Sequence, residues 1–422
     1  MIRGIFTVLL FAAITITGEC QLQSPKDFLG YELGEAFSRH HLVVDYFQHI
    51  AQSSELVELE QYGKTYENRP LYLAYVSTPE NLANLEEIRL DNLKRAGLED
   101  GAPVGKVSIV WLSYNVHGNE SVSTEASMAT IYDLVKPGGK SDWLKNTLVI
   151  IDPCINPDGR ERYVNFYWEH KNSPYNPDPN SWEHHEDWPG GRANHYLFDL
   201  NRDWAWLTQV ESQQRIAKFN KWLPQVHVDF HEQGVNSPYY FAPAAEPFHE
   251  VITDWQRDFQ TQIGKNHARY FDENNWFYFT KQVFDLLYPS YGDTYPTYNG
   301  SIGMTYEQGG SGRAGLGVIK QEGDTLTLKD RIAHHHTTGL STVEVSSKNT
   351  TELLSQFESF FAKPINAKYK TYVLKNDGNE DKMRDLMNWL DIQGVKYGTA
   401  SYGKSLSGYH YGSGKNKSCT IG

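Results

Sequence analysis

Two apolar runs that each end in a polar loop are the feature that most constrains the fold of this chain. The runs are "KVSIVWLSYNV" at 106–116 and "TLVIID" at 147–152. Such uniform runs are typical of strands buried on both faces of a parallel sheet. Segments with helical periodicity alternate with them, for example at 80–97, 123–135 and 209–223. The alternation predicts an α/β fold with a mostly parallel sheet.

Chemically active side chains follow several of these strands. The strand at 106–116 is followed by His117 and Glu120, in "HGNE". A second strand ends in His231, in "HEQG", and a later one ends in Glu307, in "MTYEQGG". In α/β folds, functional groups gather in the loops at the carboxyl ends of parallel strands. We therefore expect two imidazoles and two carboxylates to converge at one edge of the sheet.

Zinc explains this convergence. A catalytic zinc ion takes three protein ligands, from imidazole nitrogen and carboxylate oxygen, and keeps a fourth position open. His117, Glu120 and His231 supply such a set, and Gly118 and Asn119 allow the loop between the first two to curl. A hydrated turn would explain the first two residues alone, but not their combination with the other strand ends. The H-E-x-x-H motif is absent from the sequence.

Composition and the N-terminus limit the possible partners and location. The net charge of −13 argues against a nucleic-acid partner, which would need a basic face. Residues 1–20 combine Arg3 with an apolar run of the length of a secretory signal, which predicts a secreted or periplasmic protein. Glu19 disfavours lipid attachment at Cys20. No other segment is apolar enough to predict a membrane span.

Five motifs in a fixed order resemble those of the zinc carboxypeptidase family, in the form of its secreted bacterial members. They are "HGNE", "NPDGRER", "DLNRDW", "DFHEQG" and "MTYEQGG". The resemblance extends from about residue 27 to about residue 345. It implies an α/β fold in which helices flank a mixed, mostly parallel eight-stranded sheet. It also implies one Zn²⁺ per chain and a peptide or protein substrate.

The resemblance implies roles for individual residues. His117, Glu120 and His231 match the zinc ligands. Glu307 matches the general base, which takes a proton from the attacking water and passes it to the leaving amine.

"DLNRDW" carries three further matches. Asn201 and Arg202 match the pair that binds the free C-terminal carboxylate of the substrate, a task that suits the planar guanidinium fork. Asp199 matches the acid that orients a zinc-binding histidine.

The resemblance also implies an arginine that stabilises the oxyanion of the scissile carbonyl. The usual motif around this arginine is missing. Arg192 in "GGRANHYLFDLNRDW" is our candidate, and Arg160 and Arg162 are the alternatives.

A mobile tyrosine near the substrate tail is the last implied residue. "PTYNGSIGMTYEQ" offers Tyr298 for this role, with Tyr295 and Tyr291 as alternatives.

Other histidines favour structural roles. His227 lies four residues before His231, on the same face of the predicted strand, and we expect a buried, hydrogen-bonded core residue. The histidines at 334–336 lie in a helical stretch, and we expect them to pack against the fold or lie on the helix surface.

The domain prediction has four parts. Residues 1–20 form the signal peptide, and 21–364 the catalytic domain. Residues 365–400 predict a strand, a helix and a strand, the start of a second α/β unit that is cut short. The Gly/Ser/Lys-rich stretch at 401–422 predicts a disordered tail.

These observations predict a secreted zinc metallopeptidase that removes C-terminal residues. One alternative is a zinc-dependent amidase or deacylase acting on cell-wall peptides or acylated amino acids. The other is a zinc- or peptide-binding protein without catalysis, which would have lost Glu307 or a ligand. The sequence retains all of them.

Overall fold

The structure, a computed structural model, describes residues 21–362, 371–374, 378–399, 404–410 and 415–421. The predicted signal peptide at 1–20 lies outside the described residues.

Helices and strands alternate through most of the described chain. The α-helices are α1 (Pro25–Leu29), α2 (His40–Ser53), α3 (Pro79–Ala83), α4 (Leu85–Arg95), α5 (Val122–Val135), α6 (Pro157–His170), α7 (Val210–Trp222), α8 (Asp254–Glu273), α9 (Thr294–Tyr298), α10 (Leu328–Lys348), α11 (Thr350–Ala362) and α12 (Glu380–Ile392). Short 3₁₀ turns lie at Ser141–Lys145, Trp182–His184 and Leu200–Arg202. The strands are β1 (Val57–Lys64), β2 (Pro70–Val76), β3 (Ser108–Tyr114), β4 (Thr147–Asp152), β5 (Val226–Gln233), β6 (Tyr239–Tyr240), β7 (Tyr278–Phe279), β8 (Ile302–Gly309), β9 (Gly317–Ile319), β10 (Thr325–Thr327), β11 (Lys404–His410) and β12 (Lys415–Ile421).

One eight-stranded sheet organises most of the described chain. Its strand order is β1-β2-β4-β3-β5-β8-β6-β7. The inner strands β4, β3, β5 and β8 run parallel to one another. β1 and β2 extend one edge in antiparallel pairing, and β6 pairs antiparallel with β8. The predicted α/β fold with a mixed eight-stranded sheet is confirmed, and the carboxyl ends of β3, β5 and β8 lie side by side.

The core has one apolar layer on each face of this sheet. All residues of β3 and β4 are buried, as their continuous apolar pattern predicted. Val110 and Leu112 pack with α2, α5, α8 and α10, whereas Ile109 and Trp111 pack with α7 and the partly buried side chains of α3 and α4. Successive side chains of a strand point to opposite faces, so a strand with helices on both sides must be apolar throughout.

Helix α6 begins where the sequence predicts only a polar loop after the run at 147–152. Asn156 caps this helix by accepting a hydrogen bond from the Gly159 N–H at 3.0 Å. Pro157 occupies the first turn, where its missing N–H costs nothing. An Asn-Pro pair followed by an acidic residue is a helix-start signal, and it forms the first three residues of the motif "NPDGRER".

The C-terminal part of the chain differs from the prediction. A helix is present at α12, but residues 371–374 and 393–399 form no strand. β11 and β12 pair as an antiparallel hairpin within the stretch predicted to be disordered. Strand pairing satisfies backbone groups without an apolar pattern, so composition could not reveal it. The division into domains remains a prediction.

In the described part of the chain, no helix combines the length and the apolar character needed to cross a membrane.

A glycine in α8 provides a test of the packing. Alanine normally stabilises a helix interior by up to ~1 kcal/mol relative to glycine. A Cβ at Gly264, however, would lie 2.2 Å from the Ala242 carbonyl oxygen. We therefore expect Gly264→Ala to destabilise the protein by about 1–3 kcal/mol, measured as a lower midpoint of thermal unfolding. Gly398→Ala is the control, because a Cβ there meets nothing within 4 Å. A midpoint raised by Gly264→Ala would contradict the close approach.

Candidate active site

The loop after β3 is held by an asparagine. Asn115 has φ 63°, a left-handed conformation that asparagine tolerates better than most residues. Its Nδ2 donates to the carbonyl oxygens of His117 at 2.6 Å and Glu120 at 3.1 Å. These bonds fold the loop so that two side chains three residues apart face the same point.

Gly118 leaves room for this loop to pack against α6. A Cβ at this position would lie 2.2 Å from the Arg160 backbone nitrogen. We had expected Gly118 to let the loop curl, but its contribution in the structure is space for a backbone contact.

Three ligand groups converge at the carboxyl ends of β3 and β5. His117 Nδ1 lies 2.9 Å from Glu120 Oε1, and His231 Nδ1 lies 3.0 Å from Glu120 Oε2. The two Nδ1 atoms are 3.2 Å apart. All three side chains are buried. The predicted metal ligands are thus brought together, with their ligand atoms all within 4.8 Å of one another.

A carboxylate holds the far nitrogen of each imidazole. His117 Nε2 lies 2.9 Å from Asp199 Oδ1, the contact that the resemblance implied. His231 Nε2 lies 2.9 Å from Asp229 Oδ2, a residue outside the five motifs' expected roles. The signal for Asp229 was present: it precedes His231 by two residues on β5 and therefore shares its face of the sheet.

The arrangement fits a zinc ion. The Nε2 of each ring lies 2.9 Å from an acid oxygen. This proximity favours the tautomer with its proton on Nε2, which leaves both Nδ1 atoms with lone pairs that face the Glu120 carboxylate. Three electron-pair donors that face one point form a binding site for a cation. Two imidazole nitrogens and one carboxylate are a common donor set for catalytic zinc.

The charges of the cluster agree with this assignment. Burial opposes ionisation of Glu120, yet His117 and His231 hold its pKa well below the usual range. Burial would likewise lower the pKa of His231, but Asp229 and Glu120 raise it well above its ordinary value. The cluster therefore attracts positive charge, whether a proton or a metal ion, and metal binding must displace protons.

Glu307 lies next to the cluster without belonging to the three converging ligands. It is paired with His231 across β5 and β8 and is 8% exposed. Burial raises the pKa of Glu307 to about 8, with further contributions from the charges of Glu120 and Asp229. A divalent cation on the neighbouring ligands would lower this pKa and favour the ionised carboxylate.

Arg192 is the predicted oxyanion arginine that reaches the site. Its NH1 donates to Glu120 Oε1 at 3.2 Å and its NH2 to Asp199 Oδ2 at 3.0 Å, and the side chain is 45% exposed. The alternatives have structural partners. Arg160 is buried against Glu125, and Arg162 donates to loop carbonyl oxygens.

The "DLNRDW" motif places two side chains beside the ligands. Asn201 is 8% exposed, and its Nδ2 lies 3.2 Å from His231 Nε2. Its Oδ1 accepts a hydrogen bond from the Gly292 N–H at 2.8 Å. Arg202 is 45% exposed, and its guanidinium lies over the ring of Tyr291, 4.5 Å from the centroid.

The structure does not bring Tyr298 to this group. Its hydroxyl donates to the carbonyl oxygens of Leu286 and Leu287 at 3.0 and 3.2 Å, and its ring lies against His249. Tyr291, one of the two alternatives, is the tyrosine that contacts Arg202. Tyr298 is the last residue of the short helix α9, and the spacing to Glu307 alone could not reveal these contacts.

His227 and two histidines of the 334–336 tract have hydrogen-bond partners within the fold. His227 is buried, and its Nε2 lies 2.9 Å from Ser113 Oγ. In the 334–336 tract, His335 Nδ1 lies 2.7 Å from the Tyr239 hydroxyl, and His334 Nδ1 lies 2.6 Å from Gln308 Oε1.

Comparison with known proteins decides the family. The sequence profile of zinc carboxypeptidases matches residues 43–269, more than half of the chain. The chain belongs to the zinc carboxypeptidase family. It is a zinc metallocarboxypeptidase, a hydrolase that acts on peptide bonds. The matched range of this zinc carboxypeptidase includes the three predicted metal ligands, Arg192 and Arg202 but ends before Glu307.

Solved structures agree on the fold. A metallocarboxypeptidase from Burkholderia cenocepacia shares 16% identity at a TM-score of 0.52, over 73% of this chain and 69% of its own. A protein assigned as a carboxypeptidase from Burkholderia mallei shares 15% identity at a TM-score of 0.51, over 72% and 67%. No curated protein matches the chain by sequence.

Asp229 provides a test of the metal centre. Replacing an acid that orients a zinc-binding imidazole typically weakens metal affinity 10–100-fold. We expect Asp229→Asn to do so, measured by zinc competition with a chelator, whereas His231→Ala should abolish zinc retention. Asp258→Asn, at an exposed position of α8, is the matched control. Equal zinc affinity in Asp229→Asn and the wild type would remove Asp229 from the site.

Proposed function

We propose that this zinc metallocarboxypeptidase is an exported exopeptidase that removes C-terminal residues from peptides or proteins. The observation that carries the proposal is the exposed guanidinium of Arg202, which lies over the ring of Tyr291. Arg202 directly follows the buried Asn201 in the sequence. A fixed, partly exposed arginine beside a buried hydrolytic centre suits a free carboxylate, which it can bind with two parallel hydrogen bonds. Export rests on the signal-like sequence of residues 1–20.

Zinc, when bound by His117, Glu120 and His231, supplies Lewis acidity that makes a nearby water easier to deprotonate. Glu307 takes a proton from the attacking water at its carboxylate oxygen. The water oxygen bonds to the scissile carbonyl carbon, the C–N bond then breaks, and Glu307 returns the proton to the leaving amine nitrogen. A buried carboxylate whose pKa is raised toward neutrality is suited to both transfers.

Arg192 and Arg202 each stabilise a different negative charge of the substrate. Arg192, which contacts Glu120 and Asp199, donates to the oxygen on which charge develops as the water adds. Arg202 binds the terminal carboxylate and so selects the last peptide bond of the chain. Asp199 and Asp229 keep the two imidazoles oriented while the charge changes.

The carboxylate-binding role of Arg202 is tested with a pair of substrates. Losing a charge-assisted contact costs a few kcal/mol, so we expect Arg202→Ala to lower kcat/KM about 10²-fold or more, mainly through KM, for peptides with a free C-terminus. Arg269→Ala is the matched control, because that arginine is 46% exposed on α8.

The same peptides with an amidated C-terminus complete this experiment. The wild type should cleave them poorly, and Arg202→Ala should leave their rate of cleavage unchanged. Equal wild-type rates on free and amidated peptides would replace the exopeptidase by the amidase or deacylase alternative.

Glu307→Gln tests the general base. The amide keeps the shape of the side chain but cannot accept the proton. We expect kcat to fall roughly 10³-fold or more, with zinc content and peptide affinity close to those of the wild type. Glu322→Gln, at an exposed position, is the control. Near-normal turnover in Glu307→Gln would refute the role, and loss of zinc together with turnover would make Glu307 a ligand in place of Glu120.

A further inference from the structure

Helix α12 contacts the segment that follows Arg202. Trp389 Nε1 and Gln393 Nε2 both donate to the carbonyl oxygen of Ala205, at 2.6 and 2.7 Å. Trp389 and Ile392 pack, partly buried, against the apolar cluster that contains Trp204. One face of α12 therefore packs against the segment that follows Arg202.

The same helix also holds α9. Gln393 Oε1 accepts a hydrogen bond from the Tyr295 hydroxyl at 2.6 Å. Tyr295 is 7% exposed, and its N–H donates to the Tyr291 carbonyl oxygen at 3.0 Å. In addition, Asn220 of α7 donates to the Ile392 carbonyl oxygen at 2.9 Å. The Gln393 amide thus joins two chain segments that are far apart in sequence.

These two segments also meet at the site. The Ala205 N–H donates to Ser290 Oγ at 2.9 Å, and the Ser290 hydroxyl donates to the Arg202 carbonyl oxygen at 2.8 Å. The Arg202 guanidinium lies over Tyr291. Ala205 therefore hydrogen-bonds to Ser290 through its N–H and to Trp389 and Gln393 through its carbonyl oxygen.

We infer that Trp389 and Gln393 are positioning residues that set the distance between Arg202 and Tyr291, and with it the affinity for the terminal carboxylate. This inference rests on the proposed function, because it assigns α12 to the carboxylate-binding side of the site. Neither residue touches the substrate. They act through Ala205 and Tyr295, whose polar groups they hold in one arrangement. A shift of about 1 Å in a group that binds substrate is enough to reduce catalysis strongly.

Hydrogen-bond-deleting variants in the full chain test this inference. Trp389→Phe keeps an aromatic ring but removes the donor, and Gln393→Leu keeps the approximate size but removes donor and acceptor. Asn388→Ala, at an exposed position of the same helix, is the control. For a peptide with a free C-terminus we expect the double variant to raise KM about tenfold and to change kcat less than twofold, with wild-type zinc content. KM for the amidated peptide should stay unchanged.

Hydrogen exchange provides a readout that does not depend on activity. The double variant should exchange faster than Asn388→Ala in the peptides that contain Ala205 and Gly292, whose N–H groups bond to Ser290 and Asn201. Unchanged exchange there, or an unchanged KM, would overturn the inference. A lower midpoint of thermal unfolding with unchanged KM would also overturn it, because α12 would then only stabilise the fold. Failure of the proposed function is recognised separately, from equal wild-type rates on free and amidated peptides.

Discussion

The active site depends on the orientation of two buried imidazoles. Asp199 and Asp229 each occupy the Nε2 side of one ring, so that both Nδ1 atoms face the carboxylate of Glu120. Rotation of either ring would break one contact with an acid and one with Glu120. The acids lie on different elements, one before the turn Leu200–Arg202 and one on β5. Correct ligand geometry therefore requires both elements to be in place.

The sheet supplies this placement. Parallel pairing of β3 with β5 and of β5 with β8 aligns their carboxyl ends, so that His117, His231 and Glu307 leave neighbouring strands at one edge. Glu232 links the end of β5 to the start of α5 and to α10. Its carboxylate accepts from the Val122 N–H at 3.1 Å and forms a buried ion pair with Arg331 at 2.8 Å. The start of α5 and the end of β5 are thereby held together around the ligand loop.

Charge is distributed unevenly around this edge. Glu120, Asp229 and Glu307 are buried acids at this edge, whereas the side chains of Arg192 and Arg202 are each 45% exposed. His117, Arg192 and Arg202 hold the pKa of Asp199 well below its usual range, although burial opposes this. The two exposed arginines thus offset part of the negative charge of the acids around the predicted ligands.

The α/β fold and the convergence of His117, Glu120, His231 and Glu307 at one edge of the sheet could be predicted from the sequence alone. Each of these depends on which residue ends a strand, and strand ends are visible in local apolar patterns. Tertiary packing was needed to bring Arg192, rather than Arg160 or Arg162, to Glu120 and to place Tyr291 rather than Tyr298 beside Arg202. It also brought Asp229 to His231 and α12 to Ala205. These outcomes depend on contacts between segments far apart in sequence, where burial and the available space select among residues of the same chemical type. Local spacing cannot encode that selection, because it does not specify how helices and loops pack against one another.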